Sequence, residues 1–411
     1  MGLPRSAARG PDVVALAGLR VVDLSRLLPG PYASLVLADM GAEVVKVEAP
    51  DGGDYLRWMP PLTSPSTPRR PNPPGLRARQ PGERRRRGGQ RRPGPSSRST
   101  PRARSRSISR SRLAAEADVV LESFRPGVMD RLGTATPRFA AENPRLIYCA
   151  LTGYGQTGPY RDAPGHDLNY MGLGGALGLG GPADRAPNVL PVQVADIGGS
   201  LWALVAILSA LHARHETGKG RFLDVSMTDG VTGFLSAALA PHIGAGTPPP
   251  KRGADVLTGG QPCYQTYATA DGGFVSVAPL EPKFWAAFVA TVGHPEWARR
   301  QFDPSLKAEV EAMFLTRSRA EWEALLSKSE ACVEPVLAPH ELAQHPLHQA
   351  RGLVVEASNG LRRLRTPTRS PDAPPPGPAP GLGADTRDIL ARLGYDAAAI
   401  DHLTRTKVVG A

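Results

Sequence analysis

Apolar positions in the first fifty residues fall into two short blocks joined by a helical stretch. Leu19-Arg20-Val21-Val22-Asp23-Leu24 reads as a short buried strand, and a Pro29-Gly30-Pro31 turn then opens an amphipathic helix that runs from Ala33 through Met40 and stops at Gly41. Glu43-Val44-Val45-Lys46-Val47-Glu48 is a second strand, so the opening is a βαβ unit and implies a parallel sheet. Further strands are predicted over Asp118–Leu121 and Leu146–Ala150, and helices over Gly199–His215, with Gly218 placed to end it, and Leu306–Phe314. Beyond residue 255 the texture changes: residues 265–278 read as a hairpin around Asp271-Gly272-Gly273, the start of a second, smaller domain. A Pro-rich run over 371–380 predicts an extended surface link to a last helix at Thr386–Leu393, and no internal repeat is present.

Length and charge sharpen this picture. A chain of 411 residues exceeds the usual size of one core, so two domains, or one with an insertion, are expected. The net charge of +11 points to a nucleic-acid or acidic-membrane partner only if it is spread along the chain. It is not: residues 61–112 hold 16 Arg and ten Pro against one acid, Glu83, and the remainder is mildly acidic at a net −4. No core can be built from that block. It reads either as a disordered Arg/Ser segment with affinity for RNA, or as GC-rich codons translated out of frame; the abrupt return of ordinary patterning at Leu113 favours the second.

Cys149, Cys263 and Cys332 are odd in number and far apart, which argues against a disulfide framework and a zinc site, and no other metal motif is seen. His340, His345 and His348 are close in sequence, but Pro346 interrupts any helix that would hold them on one face, so they are expected at the surface. Met1–Ser6 lacks an apolar signal region and matches a myristoylation pattern only loosely, and no uninterrupted apolar run approaches eighteen residues; a cytoplasmic protein without a membrane partner is expected. The Gly-rich stretch 172–180 follows no clear strand, so it does not read as a dinucleotide-binding turn.

Chemistry concentrates in Gly165-His166-Asp167 and in Asp196, within Val194-Ala195-Asp196-Ile197-Gly198-Gly199. A histidine titrates near neutrality and can serve as base or acid; a carboxylate opposite it can do the complementary job. Either residue alone would more often be structural, His166 as a packed or surface histidine and Asp196 as a helix cap favoured in its ionised form by the dipole. Together with Thr152-Gly153-Tyr154-Gly155-Gln156-Thr157-Gly158-Pro159, Lys46 and Leu382-Gly383-Ala384-Asp385-Thr386, however, the pattern resembles the family III CoA-transferases (CaiB/BaiF) and, within them, the α-methylacyl-CoA racemase branch.

The resemblance covers about residues 16–60 and 113–400. It implies an α/β fold with a Rossmann-like large domain completed by both ends of the chain (14–228 and 336–411), a linker over 229–254, a smaller α/β domain over 255–335, and an interlocked homodimer. It implies racemisation of 2-methylacyl-CoA thioesters through an enolate, with His166 and Asp196 as the proton-transfer pair and Glu281 of the small domain orienting the histidine. It further implies Lys46, Arg125 and Arg131 near the CoA phosphates and Asp167 and Tyr170 along the pantetheine path. CoA belongs to the substrate, so no separate cofactor is expected. Two alternatives stand beside this reading: CoA transfer between carboxylic acids through an Asp196 anhydride, since transferases of the family use that aspartate as nucleophile but do not usually carry the histidine, and an inactive scaffold with an RNA-binding Arg/Ser segment.

Overall fold

β1 (Arg20–Asp23) pairs in parallel with β2 (Glu43–Lys46) after the chain has crossed through α1 (Pro29–Asp39), whose first turn carries Pro29 where a missing N–H costs nothing. These elements come from a computed structural model that describes residues 15–59, 112–134, 139, 141–358, 360–369 and 377–410. The Arg-rich block up to residue 111, the extreme N-terminus and most of the Pro-rich run lie outside the described residues. β3 (Val119–Glu122), β4 (Ile147–Thr152) and β5 (Phe222–Ser226) complete a five-stranded parallel sheet of order β2-β1-β3-β4-β5. β3 and β4 are buried end to end, which is why both read as continuous apolar runs. The chain moves outward from β1 to β2 and then returns to β3, so the β1/β3 boundary is a topological switch point, beyond whose carboxyl ends such sheets bind ligands.

Around this sheet lie α2 (Val128–Arg131), α3 (Asp167–Leu173), α4 (Val194–Thr217), α5 (Met227–Phe234) and α6 (Ser236–Ala245). By length and composition α4 could cross a membrane. Yet one of its faces, Ala195, Ala203, Leu204, Ile207 and Ala210, is buried in the same core as Val21, Val119, Ile147 and Leu151 of the sheet. It ends where expected, at Gly218 in the left-handed region (φ 68°). Its start is five residues earlier than the sequence predicts, because the group that caps it comes from another helix.

The second core is separate in sequence. β6 (Gln265–Ala268) and β7 (Phe274–Val277) form the predicted hairpin, followed by α7 (Pro282–Val292), α8 (Lys307–Phe314), α9 (Arg319–Leu326) and β8 (Val333–Pro335), which joins β7 antiparallel. Trp285, Phe288, Phe314 and Trp322 fill its interior, and both indoles are satisfied: Trp285 Nε1 donates to the Trp297 carbonyl (3.1 Å) and Trp322 Nε1 to that of Phe314 (2.8 Å).

α10 (Pro346–Ala350) begins at Pro346, which therefore opens a helix instead of interrupting one, with His345 as its N-cap. The hairpin β9 (Val354–Glu356) and β10 (Arg362–Leu364) follows, then α11 (Thr386–Arg392) and α12 (Ala397–Arg405). This tail returns to the N-terminal unit: Thr366 and Arg369 bind the two carboxylate oxygens of Asp39 at the end of α1 (2.6 Å each), and Arg392 binds Glu43 (2.9 Å). Cys149 and Cys263 are buried, Cys332 is exposed, and all three are free thiols.

Candidate active site

Beyond β4 the chain enters a loop that is tied down along its length. Gly155 N–H donates to Thr152 Oγ1 (3.0 Å), Gln156 N–H to Asp224 on β5 (3.0 Å), and Thr228 Oγ1 to the Gly153 carbonyl (2.7 Å). The loop delivers His166 as the N-cap of α3, with its backbone N–H donating to Asn169 Oδ1 (3.1 Å). Tyr170, one turn on, folds back and donates from its hydroxyl to the Gly165 carbonyl (2.6 Å). Its buried ring packs edge-on against Tyr154, with centroids 5.1 Å apart. His166 is thus presented by a backbone that two tyrosines hold, while its own side chain is exposed.

Asp196 arrives from the other side, in the first turn of α4. Asp167 Oδ1 accepts the N–H groups of Ala195 (2.7 Å) and Asp196 (3.1 Å), and Ser200 Oγ donates to the Pro29 carbonyl at the start of α1 (2.6 Å). The sequence predicts an Asp196 whose ionised form the helix dipole favours; in the structure the shift runs the other way. Burial, reinforced by the Asp167 carboxylate and only partly opposed by His166, pushes Asp196 up to about 6. Desolvation outweighs the dipole, and the carboxyl titrates in the range where imidazoles do.

His166 lies between two clefts. One, of about 480 Å³, runs between the carboxyl ends of β3 and β4 and carries Arg125 and Arg161 together with Tyr154, Asn169 and Tyr170. The other, of about 280 Å³, is walled by Leu168, Met171, Leu177, Val189 and Leu190, with Asp167 and Asp196 as its only acids and no Lys or Arg among its lining residues. The fold therefore brings His166, Asp167, Tyr170, Arg125 and Asp196 into one neighbourhood. Sequence reading missed Arg161 and the apolar wall. Leu168 and Met171, three apart on α3, carry a helical signal; Val189 and Leu190 sit in irregular chain and carry none.

Lys46, Arg131 and Glu281 line neither cleft. The Lys46 ammonium is bound to Asp23 Oδ2 (3.2 Å) and the Ser25 carbonyl (2.9 Å) and pairs with Asp54 (3.5 Å), both carboxylates being buried. Arg131 closes α2, one turn from Gly127. Glu281 is exposed at the N-cap of α7 in the second core and faces Cys332, not His166, within one chain.

A second perturbed acid stands beneath the site. Glu122, at the end of β3, accepts the Phe124 N–H (2.6 Å) and a hydrogen bond from Tyr148. Burial, added to by Asp130, nonetheless raises it from 4.5 to about 7. Because the folded state binds this proton more tightly than the unfolded chain, the stability it contributes is full below the unfolded value and is lost as pH rises through about 7. Glu122→Gln should therefore be more stable than the parent at pH 8, by up to about 3 kcal/mol, with little difference at pH 4.5. Urea unfolding at the two pH values measures this, and an equal difference at both would show that Glu122 does not bind the extra proton.

Comparison with known proteins gives consistent matches. A family model described as CoA-transferase family III matches residues 16–72 and 104–386, leaving 73–103, within the Arg-rich block, unmatched. The α-methylacyl-CoA racemase of Homo sapiens is 33% identical over 405 residues, spanning 96% of this chain and 98% of that protein. The succinate–glutarate CoA-transferase of Agrobacterium fabrum is 31% identical over 395 residues, spanning 92% and 95%. The crystal structure of a CAIB/BAIF family protein from Brucella suis superposes with a TM-score of 0.71 at 29% identity, covering 92% of this chain and 98% of that one.

Proposed function

This chain belongs to CoA-transferase family III, and from that membership we propose that it racemises 2-methylacyl-CoA thioesters by proton transfer between His166 and Asp196. The observation that carries the reading is an imidazole and a carboxyl raised to about 6, set where a basic cleft meets an apolar one. Racemisation needs one group to take the α-proton from one face and another to return a proton to the opposite face. The pair therefore works with one proton between its two members. In one direction neutral His166 accepts the α-proton, the C–H electron pair moves into the enolate, and protonated Asp196 delivers its proton to the other face. In the reverse direction ionised Asp196 is the base and the imidazolium the acid. A raised aspartate holds its proton more readily for delivery, which a catalyst that must protonate the α-carbon from that face requires.

Arg125 and Arg161 suit the cleft to the charged CoA portion, and the apolar wall suits the other to a branched acyl chain. The latter favours racemisation over transfer of dicarboxylates: a second substrate carboxylate there would meet Asp167 and Asp196 and no Lys or Arg of the lining residues. Transfer of CoA through an Asp196 anhydride remains the second reading, because a succinate–glutarate CoA-transferase is almost as similar to this chain as the racemase; hydroxylamine trapping of an acyl enzyme would report it. Glu281 reaches His166 in this proposal only across a homodimer, one subunit's 255–335 unit closing the other's site, and the exposure of His166 in the single chain fits such closure. Arg131 is assigned to the far, nucleotide end of CoA, and Lys46 would serve there only by exchanging its Asp23 and Asp54 partners for phosphate.

The test is incubation of the purified protein with one enantiomer of a 2-methylacyl-CoA in D2O, following the α-proton by NMR. Deuterium incorporation with loss of enantiomeric purity is expected. An unchanged α-proton with CoA appearing on an added acid would establish the transferase instead.

A further inference from the structure

His166 and Asp196 stand on different helices, and the twenty residues between Leu173 and Val194 contain only one short 3₁₀ turn. The direct link between the two sides is Asp167. It is the residue after His166, and its Oδ1 accepts the backbone N–H groups of Ala195 and Asp196 itself, at 2.7 and 3.1 Å. Two charge-assisted hydrogen bonds to the open N–H groups of a helix's first turn fix where that turn begins. No residue within α4 does this: its N-cap, Gln193, makes no side-chain capping bond. From His166 to Asp196 the connection is thus one peptide step and one hydrogen bond.

We propose that Asp167 is the positioning residue of the proton-transfer pair, its carboxylate holding the first turn of α4, and with it Asp196, in register with His166. The inference rests on the reading of His166 and Asp196 as that pair. It gives Asp167 two separable functions. The hydrogen bonds depend on an acceptor oxygen, which asparagine keeps; the effect on Asp196 depends on charge, which asparagine lacks. The charged and titratable groups bearing on Asp196 are Asp167 and His166, with Tyr170 on the same helix as both and Arg125 facing Tyr170. Of these, Asp167 is the one that holds the aspartate's proton on.

Asp167→Asn and Asp167→Ala separate the two functions. Loss of the cap in Asp167→Ala should reduce racemisation about 10²-fold, the cost of a catalytic group displaced by about an ångström. Asp167→Asn should restore most of that rate at its pH optimum and shift the acid limb of the pH–rate profile downward. In the free protein, the Asp196 carboxyl, assigned by its disappearance in Asp196→Asn, should likewise titrate in ¹³C-aspartate NMR below about 6 in Asp167→Asn. A merely structural Asp167 would move neither the limb nor the NMR midpoint. An Asp196 midpoint unchanged in Asp167→Asn, or an alanine variant as active as the parent, overturns the inference. A shifted midpoint in Asp167→Asn, with protection of the Ala195 and Asp196 amides from hydrogen exchange kept in Asp167→Asn and lost in Asp167→Ala, upholds the positioning even in a protein that exchanges no α-proton, and only the racemase reading then falls.

Discussion

Replacing His166 by alanine is expected to lower racemisation by at least about 10³-fold while leaving the fold and melting temperature unchanged. General acid–base groups contribute about 10²–10⁴-fold each, and here loss of one partner stops inversion in both directions, since each direction uses both groups. The expectation of an intact fold follows from placement. The His166 side chain is exposed, and it is the backbone at this position, not the ring, that bonds to Asn169. Chiral analysis of the recovered thioester, alongside circular dichroism, measures both halves. Whatever exchange persists should affect one enantiomer alone and proceed without inversion, because Asp196 still faces one side of the α-carbon. Racemisation at the parental rate would remove the histidine from the mechanism.

Gly165→Ala is the second large effect, and it acts through shape. A Cβ built at Gly165 lies 2.6 Å from Tyr170 Cε1 and 2.7 Å from the Tyr154 hydroxyl. The Tyr170 ring cannot yield cheaply: it is buried, its hydroxyl is already bound to the Gly165 carbonyl, and the Gly153 backbone is so close that a Cβ there would stand only 2.4 Å from the same ring. The added methyl must therefore push the loop that ends in His166. The expected cost is about 1–3 kcal/mol of stability and about 10²-fold in turnover, with substrate affinity less affected because Arg125 sits on a different loop. Thermal unfolding and the separate kcat and KM values test this; a variant with normal turnover would mean that the tyrosine pair does not set the histidine's position.

The parallel sheet was legible because its inner strands are built on apolar runs, Val21-Val22, Val119-Val120-Leu121 and residues 147–151, with only the strand ends polar, and its first crossover is short, with Pro29 and Gly41 marking the helix between them. The hairpin at Asp271-Gly272-Gly273 was legible for the same local reasons. β5 was not: Phe222-Leu223-Asp224-Val225-Ser226 mixes polar and apolar residues at the sheet's edge and reads as loop. β8 is three residues long and exists only because β7 is already there to pair with. The candidates His166 and Asp196 come from their motifs, and the fold places both on the lining of the apolar cleft. What the motifs could not convey was the electrostatics. The early start of α4 and the raised Asp196 both come from Asp167, twenty-nine residues away in sequence from the carboxyl it influences, and from burial that no local pattern encodes. Lys46 shows the converse, a cation that looks available in sequence but is held by Asp23 and Asp54 in the fold.

The hydrogen bonds from Ala195 and Asp196 to Asp167 also close a ring in the chain. The clamp joins the first residue of α3 to the first turn of α4, so the ring takes in α3 and the segment from Gly174 to Gln193, which supplies Leu177, Val189 and Leu190 to the apolar wall. An excursion fastened at its base can change length and composition without disturbing the residues that fasten it. Acyl-group preference is thereby separable from proton chemistry, and a lineage could exchange one pocket wall for another, broadening or narrowing its diet of thioesters, while the catalytic pair is inherited unchanged.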